Sequence, residues 1–303
     1  MSEILVIGSL NMDVSVQMDR MPQKGETVRG AGYAENPGGK GANQAYAAGS
    51  LGGSVAMLGC VGDDAYGRAL TEQLRRGGVD VSALEAAPDA ATGTAFIFTD
   101  AAADNSIVII GGANERCTVE YVQRHEDLLA RCDTVLLQLE IPLETVCWVI
   151  RRASQLGKRI VLDPAPARGD IPADVVRLVS ILTPNETELA ALTGRRVETE
   201  EEIRLAAAEL LEQGVEYVIV TMGARGALVM GRDGTHLIPT RPVRAVDTTA
   251  AGDCFNGALA VELSRGADMA QAVAFANAAA SLSTTRRGAQ SSIPRREEVE
   301  PLG

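Results

Sequence analysis

"DTVLLQLEIPLETVCWVIRRASQLGKRIVLDPAP", residues 133–166, reads as strand, helix, strand. Its two ends, 133–140 and 159–166, are near-continuous apolar runs that finish in polar and proline residues. Its middle, 143–156, has helical spacing. Strands apolar along their length and separated by helices belong to a parallel sheet covered on both faces. The unit recurs outward in both directions. "ILVIGS" (4–9), "SVAMLGCVG" (54–62), "SILTPN" (180–185) and "YVIVTMG" (217–223) read as further buried strands, with helices predicted over 41–51, 64–76, 200–213, 252–264 and 268–284. The expected fold is therefore α/β, a doubly wound, mostly parallel sheet flanked by helices.

Two stretches break the rhythm. Residues 14–35 and 93–110 alternate with period two, carry turn signals and show no helix. They predict antiparallel strands. The two can pair as a small β lid over the main sheet; the alternative is a pair of edge hairpins. No repeat or linker interrupts the chain, so one domain over 1–303 is expected, with the lid formed by insertions at about 14–35 and 93–110.

Composition narrows the function classes. The formal charge is −12, which disfavours nucleic acid and anionic membrane as partners. Cys60, Cys117, Cys132, Cys147 and Cys254 are widely spaced, with no C-x-x-C, so neither a zinc site nor a disulfide framework is expected. Reduced thiols fit a cytoplasmic protein. "MSEILVIGSL" (1–10) reads as a first strand, and no apolar run reaches bilayer length.

In an open parallel sheet, ligands bind beyond the carboxyl ends of the strands. Those ends read "GSLNMD", "QLE", "DPAPA", "TPNETE" and "TMGARG". A further loop, "AVDTTAAGDCFNGALA" (245–260), runs straight into a helical pattern. Ala250, Ala251 and Gly252 have no bulky side chains, so a ligand can approach their backbone. Helix N-termini carry free N–H groups and partial positive charge, which suits a phosphoryl group. A carboxylate beside such an anion hole, Asp253, repels phosphate. It makes sense as the group that orients and deprotonates a substrate hydroxyl during phosphoryl transfer. The duller reading is a helix cap. A second glycine cluster, "NPGGKGANQA" (36–45), is neither a P-loop nor a G-x-G-x-x-G. With Lys40 and Asn43 on a flat glycine surface, and Asn11 and Asp13 at the end of the first strand, it suits a hydroxyl-rich ligand.

Together these pieces resemble the ribokinase-like (PfkB) sugar kinases almost end to end: "GSLNMD", "PGGKGANQA", "GDDAYG", "QLEIPLETV", "DPAPA", "TPNETEL", "TMGARGA", "DTTAAGDCFNGALA" and "TRRGAQSSIP". "GGKGANQA" with the C-terminal "GAQSSIP" narrows the resemblance to the ribose-phosphorylating branch. The resemblance implies ATP-dependent phosphorylation of D-ribose at its 5-hydroxyl, with Mg²⁺ and an activating K⁺. It implies Asp253 as catalytic base and the amides of Ala250, Ala251 and Gly252 as anion hole. Asn11, Met12, Asp13, Gly39, Lys40, Gly41, Ala42, Asn43 and Glu140 would line the sugar site. Asn185 and Glu188 would lie near the phosphates and Mg²⁺. Thr221, Met222, Gly223, Ala224, Arg225 and Gly226 would touch the nucleotide, with Asn277 near the adenine. Asp247, Thr249, Ser283, Arg286, Gly288 and Ser292 would hold the monovalent cation, largely through carbonyls. The lid would carry a homodimer contact.

Each residue has a plainer alternative. Lys40 can be a surface lysine, Glu188 an exposed helix residue, Glu140 a cap for the helix after Pro142, and Cys254 a small packing residue. His125 and His236 match no metal or triad spacing. Rival activities are phosphorylation of 2-deoxyribose or of a nucleoside, and non-catalytic sugar sensing on the same fold. A nucleoside kinase favours aromatic groups over the base, and aromatics are only 3%. A sensor has no need of Asp253 or the anion loop.

Overall fold

The protein is described by a computed structural model covering residues 3–102 and 104–300. A nine-stranded sheet forms its centre, in the order Gly234–Ile238, Ala227–Gly231, Tyr217–Thr221, Ile181–Leu182, Arg159–Leu162, Thr134–Leu137, Glu3–Ile7, Ser54–Leu58, Val79–Asp80. The seven strands from Tyr217–Thr221 to Val79–Asp80 run parallel. Alternation within the first strand explains the two layers. Ile4 and Val6 point into one core, with the helices Lys40–Ser50, Ala251–Ser264 and Met269–Ser283. Leu5 and Ile7 point into the other, with Leu143–Gln155 and Glu200–Glu212. Successive residues of a strand face opposite sides, so only a sheet covered twice can bury all four.

The helices follow their predicted spans within about two residues. Helix Ala251–Ser264 is buried along nearly its whole length, packed between the sheet and the other two helices of its layer. That is why its sequence is apolar all round rather than striped. At the edge of the sheet, Ala227–Gly231 and Gly234–Ile238 form an antiparallel hairpin on Tyr217–Thr221. The sequence reading had not marked it as strands. The run "SVAMLGCVG" divides at Gly59: Ser54–Leu58 stays in the main sheet, while Cys60–Gly62 pairs with Glu85–Ala87 in a small sheet of its own.

The two insertions form one four-stranded sheet, Gly30–Gly38, Asn11–Met18, Gly93–Thr99, Asn105–Ile110. Each insertion is an antiparallel hairpin. The strands that join them, Asn11–Met18 and Gly93–Thr99, run parallel, because the two excursions leave the body in the same direction. One placement needs correcting. Asn11 and Asp13 do not end the first strand, which stops at Ile7; they open the first lid strand. The polar stretch after Ile7 is a bend, and the alternation that marked the lid from residue 14 already begins at 11.

The first strand has a neighbour from later in the chain on each side, Ser54–Leu58 and Thr134–Leu137. The winding reverses there, and that is where an open sheet leaves a crevice.

Candidate active site

Helix Lys40–Ser50 starts almost on top of the first strand's exit. A Cβ on Gly41 would stand 2.6 Å from the backbone of Gly8 and Ser9, and one on Gly39 would stand 2.6 Å from the amide of Asn11. Gly39 also has φ 88°, the left-handed region. The glycine cluster therefore brings a helix N-terminus against the crevice. Glu140 sits at that N-terminus: its Oε2 accepts from the Lys40 amide at 3.1 Å and from the Ser9 hydroxyl at 2.6 Å. It thus caps this helix, not the one that follows Pro142, which begins with no side-chain cap.

Across the crevice stands helix Ala251–Ser264. Its N-cap is Ala250, at φ 60° and ψ 14°, the one described residue other than glycine with positive φ. Non-glycine residues avoid this region at a cost of roughly 1–2 kcal/mol. The loop is thus held bent. The Ala251 amide closes a turn onto Thr248 O at 3.2 Å. Among the described residues, the amides of Ala250, Gly252 and Asp253 have no backbone acceptor. A Cβ on Gly252 would meet nothing within 4 Å. Its small size therefore answers to no packing neighbour, and the space beside it is open.

Asp253 is 6% exposed. Asn43 Nδ2 donates to its Oδ2 at 2.9 Å, and Gln44 Nε2 donates to its Oδ1 at 3.1 Å. Gln44 also donates to Asp163 Oδ2 at 2.7 Å and accepts from Gln138 Nε2 at 2.6 Å. Gln290 Nε2 donates to Asn43 Oδ1 at 3.2 Å. The carboxylate is gripped by two amides, each held in turn by another. Each carboxylate oxygen keeps a lone pair for a ligand.

A cavity of about 210 Å³ opens at this point, lined by Lys40, Asp163, Thr183, Asn185, Glu188, Thr221, the loop from Ala250 to Asp253, and Asn256. Burial works against the Lys40 ammonium, but Asp253, Asp163, Glu140 and Glu188 outweigh it and raise its pKa. Lys40 forms no ion pair among the described residues and lines the cavity that the anion loop borders, so it is a cation facing that loop rather than a surface lysine. Burial pushes Asp163 well above the usual carboxylate range, with Lys40 opposing and Asp253 and Glu188 adding to the rise. Burial likewise raises Glu188. Glu188 is buried, against the exposed alternative, and forms a capping box with Asn185: Asn185 N–H to Glu188 Oε2 at 2.8 Å, and Glu188 N–H to Asn185 Oδ1 at 2.9 Å.

A second cavity, of about 440 Å³, shares Thr221, Thr248, Ala251 and Gly252 with the first. Gly223, Ala224 and Gly226 form one wall and Asn277, Ala280 and Ser281 another, with Pro242 and Val243 between. Asn277 Nδ2 donates to Ile238 O at 2.9 Å, which leaves its oxygen toward the cleft. Arg225 is turned aside into an ion pair with Glu186, and Met222 is buried. The shape is that of a long ligand with a charged end in the first cavity and an apolar, flat end in the second.

Of the six residues expected around a monovalent cation, Asp247, Thr249 and Gly288 are joined by hydrogen bonds just before the anion loop. Asp247 Oδ1 accepts from Thr249 N and Oγ1 at 2.9 and 2.6 Å, and its Oδ2 accepts from Gly288 N at 2.9 Å. The hydroxyls of Ser283 and Ser292 bond back to Ala280 O and Ala289 O, and Arg286 pairs with Glu298. Arg286 is a cation and Gly288 has no side chain, so any ligand role for these two falls to backbone oxygens. Cys254 is fully buried and burial pushes its thiol to about 12, so it is a packing residue. His125 pairs with Glu85, and His236 with the Asp233 carbonyl; neither lines the two cavities.

The profile of the pfkB family carbohydrate kinases matches residues 1–296. The chain belongs to that family. It is similar to a ribokinase of Bacillus subtilis, 42% identical with 100% of this chain and 99% of that one covered. It is also similar to a deoxyribokinase of Salmonella typhi, 40% identical with 98% and 97% covered. Among solved structures, Arabidopsis thaliana ribokinase complexed with ribose and ATP superposes at TM-score 0.94, with 33% identity and 99% and 98% covered. This pfkB kinase is an ATP-dependent sugar kinase, and no described helix is long and apolar enough to cross a membrane.

Sequence reasoning had missed several members of the site. Gln44 and Gln290 lie inside motifs it quoted, "GGKGANQA" and "GAQSSIP", and Asp163 opens "DPAPA". A polar residue inside such a motif was the available signal, and for Asp163 its place at a strand end added to it. Gln138 and Asn256 also lie inside quoted motifs, "QLEIPLETV" and "DTTAAGDCFNGALA"; Asn114 lies in none, and only the folded contacts distinguish it.

Proposed function

We propose that the chain transfers the γ-phosphoryl group of ATP to the 5-hydroxyl of D-ribose, giving ribose 5-phosphate and ADP. The observation that carries this reading is Asp253, a buried carboxylate held by Asn43 and Gln44 one residue beyond an open anion loop. The ribose hydroxyl donates to a free lone pair of Asp253, which orients it and takes its proton as the O–P bond forms. The γ-phosphoryl oxygens accept from the free amides of Ala250, Gly252 and Asp253, at the positive end of the helix, and face Lys40. Asn11, Met12, Asp13, the glycine surface at 39–43 and Glu140 take the sugar; Thr221, Gly223, Ala224, Gly226 and Asn277 take the nucleotide.

Mg²⁺ fits this donor set. Among the described residues no three carboxylate, Cys or His side chains cluster as a metal nest. Mg²⁺ keeps several waters and is usually bound through phosphates with one or two carboxylates. Asp163 and Glu188 on the cavity wall, together with Asn185, are the protein groups in reach. The ion would neutralise phosphate charge. A K⁺ beside Asp247, Thr249 and the carbonyls near Ser283, Arg286, Gly288 and Ser292 would brace the anion loop from below.

The chain is read as one kinase domain with a β lid that excludes water. Ile107, Val108, Ile109 and Ile110 on the outer lid strand are all more than half exposed, and Tyr33 is 72% exposed. A second copy of the lid is the occupant we propose for that surface, giving a homodimer. Five buried free thiols suit the cytoplasm.

The test is ADP release with ribose, 2-deoxyribose, fructose and adenosine as acceptors. Ribose is expected to give the highest kcat/KM. A preference for 2-deoxyribose would move the enzyme to the deoxyribokinase branch, and turnover of adenosine alone would end the sugar reading.

A further inference from the structure

Asn114 lies just past the second lid hairpin, in the short helix Gly112–Arg116, and is 1% exposed. Its side chain makes three hydrogen bonds that admit a single orientation. Leu10 N–H donates to Oδ1 at 2.9 Å, and an N–H can only donate. The Nδ2 group therefore faces Leu10 O at 3.2 Å and Asn11 Oδ1 at 2.7 Å. The same logic passes to Asn11. The atom that meets the Asn114 NH2 is the oxygen, so the NH2 of Asn11 faces the other way. Asn11 is 3% exposed, and among the described residues its NH2 has no protein partner. A Cβ on Gly93 would stand 2.3 Å from both Asn11 Oδ1 and Asn114 Nδ2, so the pair meets only because position 93 has no side chain, and the hydrogen bonds of Asn114 set the sense of the Asn11 amide.

We infer that Asn114 is a positioning residue for sugar recognition: it fixes the sense of the Asn11 amide, so that the site offers a donor rather than an acceptor to a sugar oxygen. This rests on the reading that Asn11 contacts the sugar. A buried donor left unpaired rejects an analogue that lacks its oxygen, so Asn114 sets the discrimination without touching the ligand.

The test is N114D. A carboxylate there still accepts from Leu10 N–H but cannot donate to Asn11, whose amide then turns its NH2 inward and its oxygen toward the sugar. The ratio of kcat/KM for ribose over 2-deoxyribose is expected to fall by about tenfold, through the KM for ribose, with the KM for ATP within about twofold of wild type. N114S, which buries no charge, gives the same direction and serves where N114D does not fold. The double variant N11A/N114D is expected to show no loss of the ratio beyond N11A, since the two residues act as one unit. A merely structural residue would lower Tm and turnover of both sugars alike and would add to N11A. A ratio within about twofold of wild type in N114D and N114S, or additivity in the double variant, overturns the inference. Wild-type turnover of neither pentose would instead sink the sugar reading and this role with it.

Discussion

Asn43 Nδ2 stands 2.9 Å from Asp253 Oδ2, a hydrogen bond between the first turns of two helices 210 residues apart in sequence. It makes the glycine cluster and the "AAGD" loop parts of one device. Asn43 and Gln44 aim the carboxylate, and the glycines allow their helix to come near enough to do so. D253N keeps the shape and removes the base. Its kcat is expected to fall by about 10² to 10⁴, with the KM for ATP little changed. The new carboxamide also turns a donor toward Asn43 or Gln44, so a loss of about 1–3 kcal/mol of stability accompanies it. Steady-state kinetics and thermal melts check both. A variant that keeps more than about a tenth of wild-type kcat would remove Asp253 from the base role.

Ala250 holds the anion loop in the left-handed region at φ 60°. A250G relieves that strain but frees the unfolded chain, so folded stability is expected to stay level or rise by up to about 1 kcal/mol. The amides lose their fixed aim, and kcat is expected to drop several-fold while both KM values hold. A lower Tm with unchanged kcat would mean that the bend serves packing rather than phosphoryl transfer.

The α/β class, the parallel sheet and all six predicted helices were legible because apolar periodicity is local. So was the lid, which alternates where the rest does not. The edge hairpin 227–238 was not, since its outer strand Gly234–Ile238 is exposed and carries no apolar run. In the site, the motifs pointed to Asp253, Lys40 and Asn185. They did not show that Asn43 is committed to Asp253 and Gln290, because that depends on two helices meeting tip to tip. Asn114 lay beyond reach for the same reason: its partners are 103 and 104 residues away.

Asp247 ties Thr249 and Gly288 together directly below the anion loop. If K⁺ shares that place, ion-stripped enzyme in a Tris or choline buffer with fixed Mg²⁺ gains activity several-fold on adding K⁺. D247A is expected to abolish the gain. Equal rates with and without K⁺ would leave Asp247 as a loop staple only.

The outer lid strand Asn105–Ile110 is exposed along its whole length, with Ile109 at 55%. Edges of this kind recruit another chain. I109E is expected to shift the protein from dimer to monomer in sedimentation, with its helical signal unchanged. A wild-type protein that is monomeric at micromolar concentration would end the dimer proposal.

Asp13 gives the enzyme a titration near neutrality. Burial raises its pKa from 3.8 to about 7, and the charges of Glu140 and Asp253 add to the rise. A carboxyl whose folded pKa is raised binds its proton more tightly in the folded state. Its contribution to stability is therefore full below about pH 4 and is lost as pH climbs through about 7. The displacement sets a ceiling of about 4 kcal/mol on that loss. D13N stays uncharged, so apo D13N is expected to melt higher than wild type at pH 8 and at about the same temperature at pH 4. Substrate binding runs the other way. An ionised Asp13 can accept from two neighbouring sugar hydroxyls, whereas a protonated one loses an acceptor. The KM for ribose is expected to fall as pH rises from 6 to 8, and D13N is expected to raise it at least about tenfold and flatten the profile. A wild-type KM that is constant across that range, with D13N melting no higher at pH 8, would show that Asp13 neither titrates there nor meets the sugar.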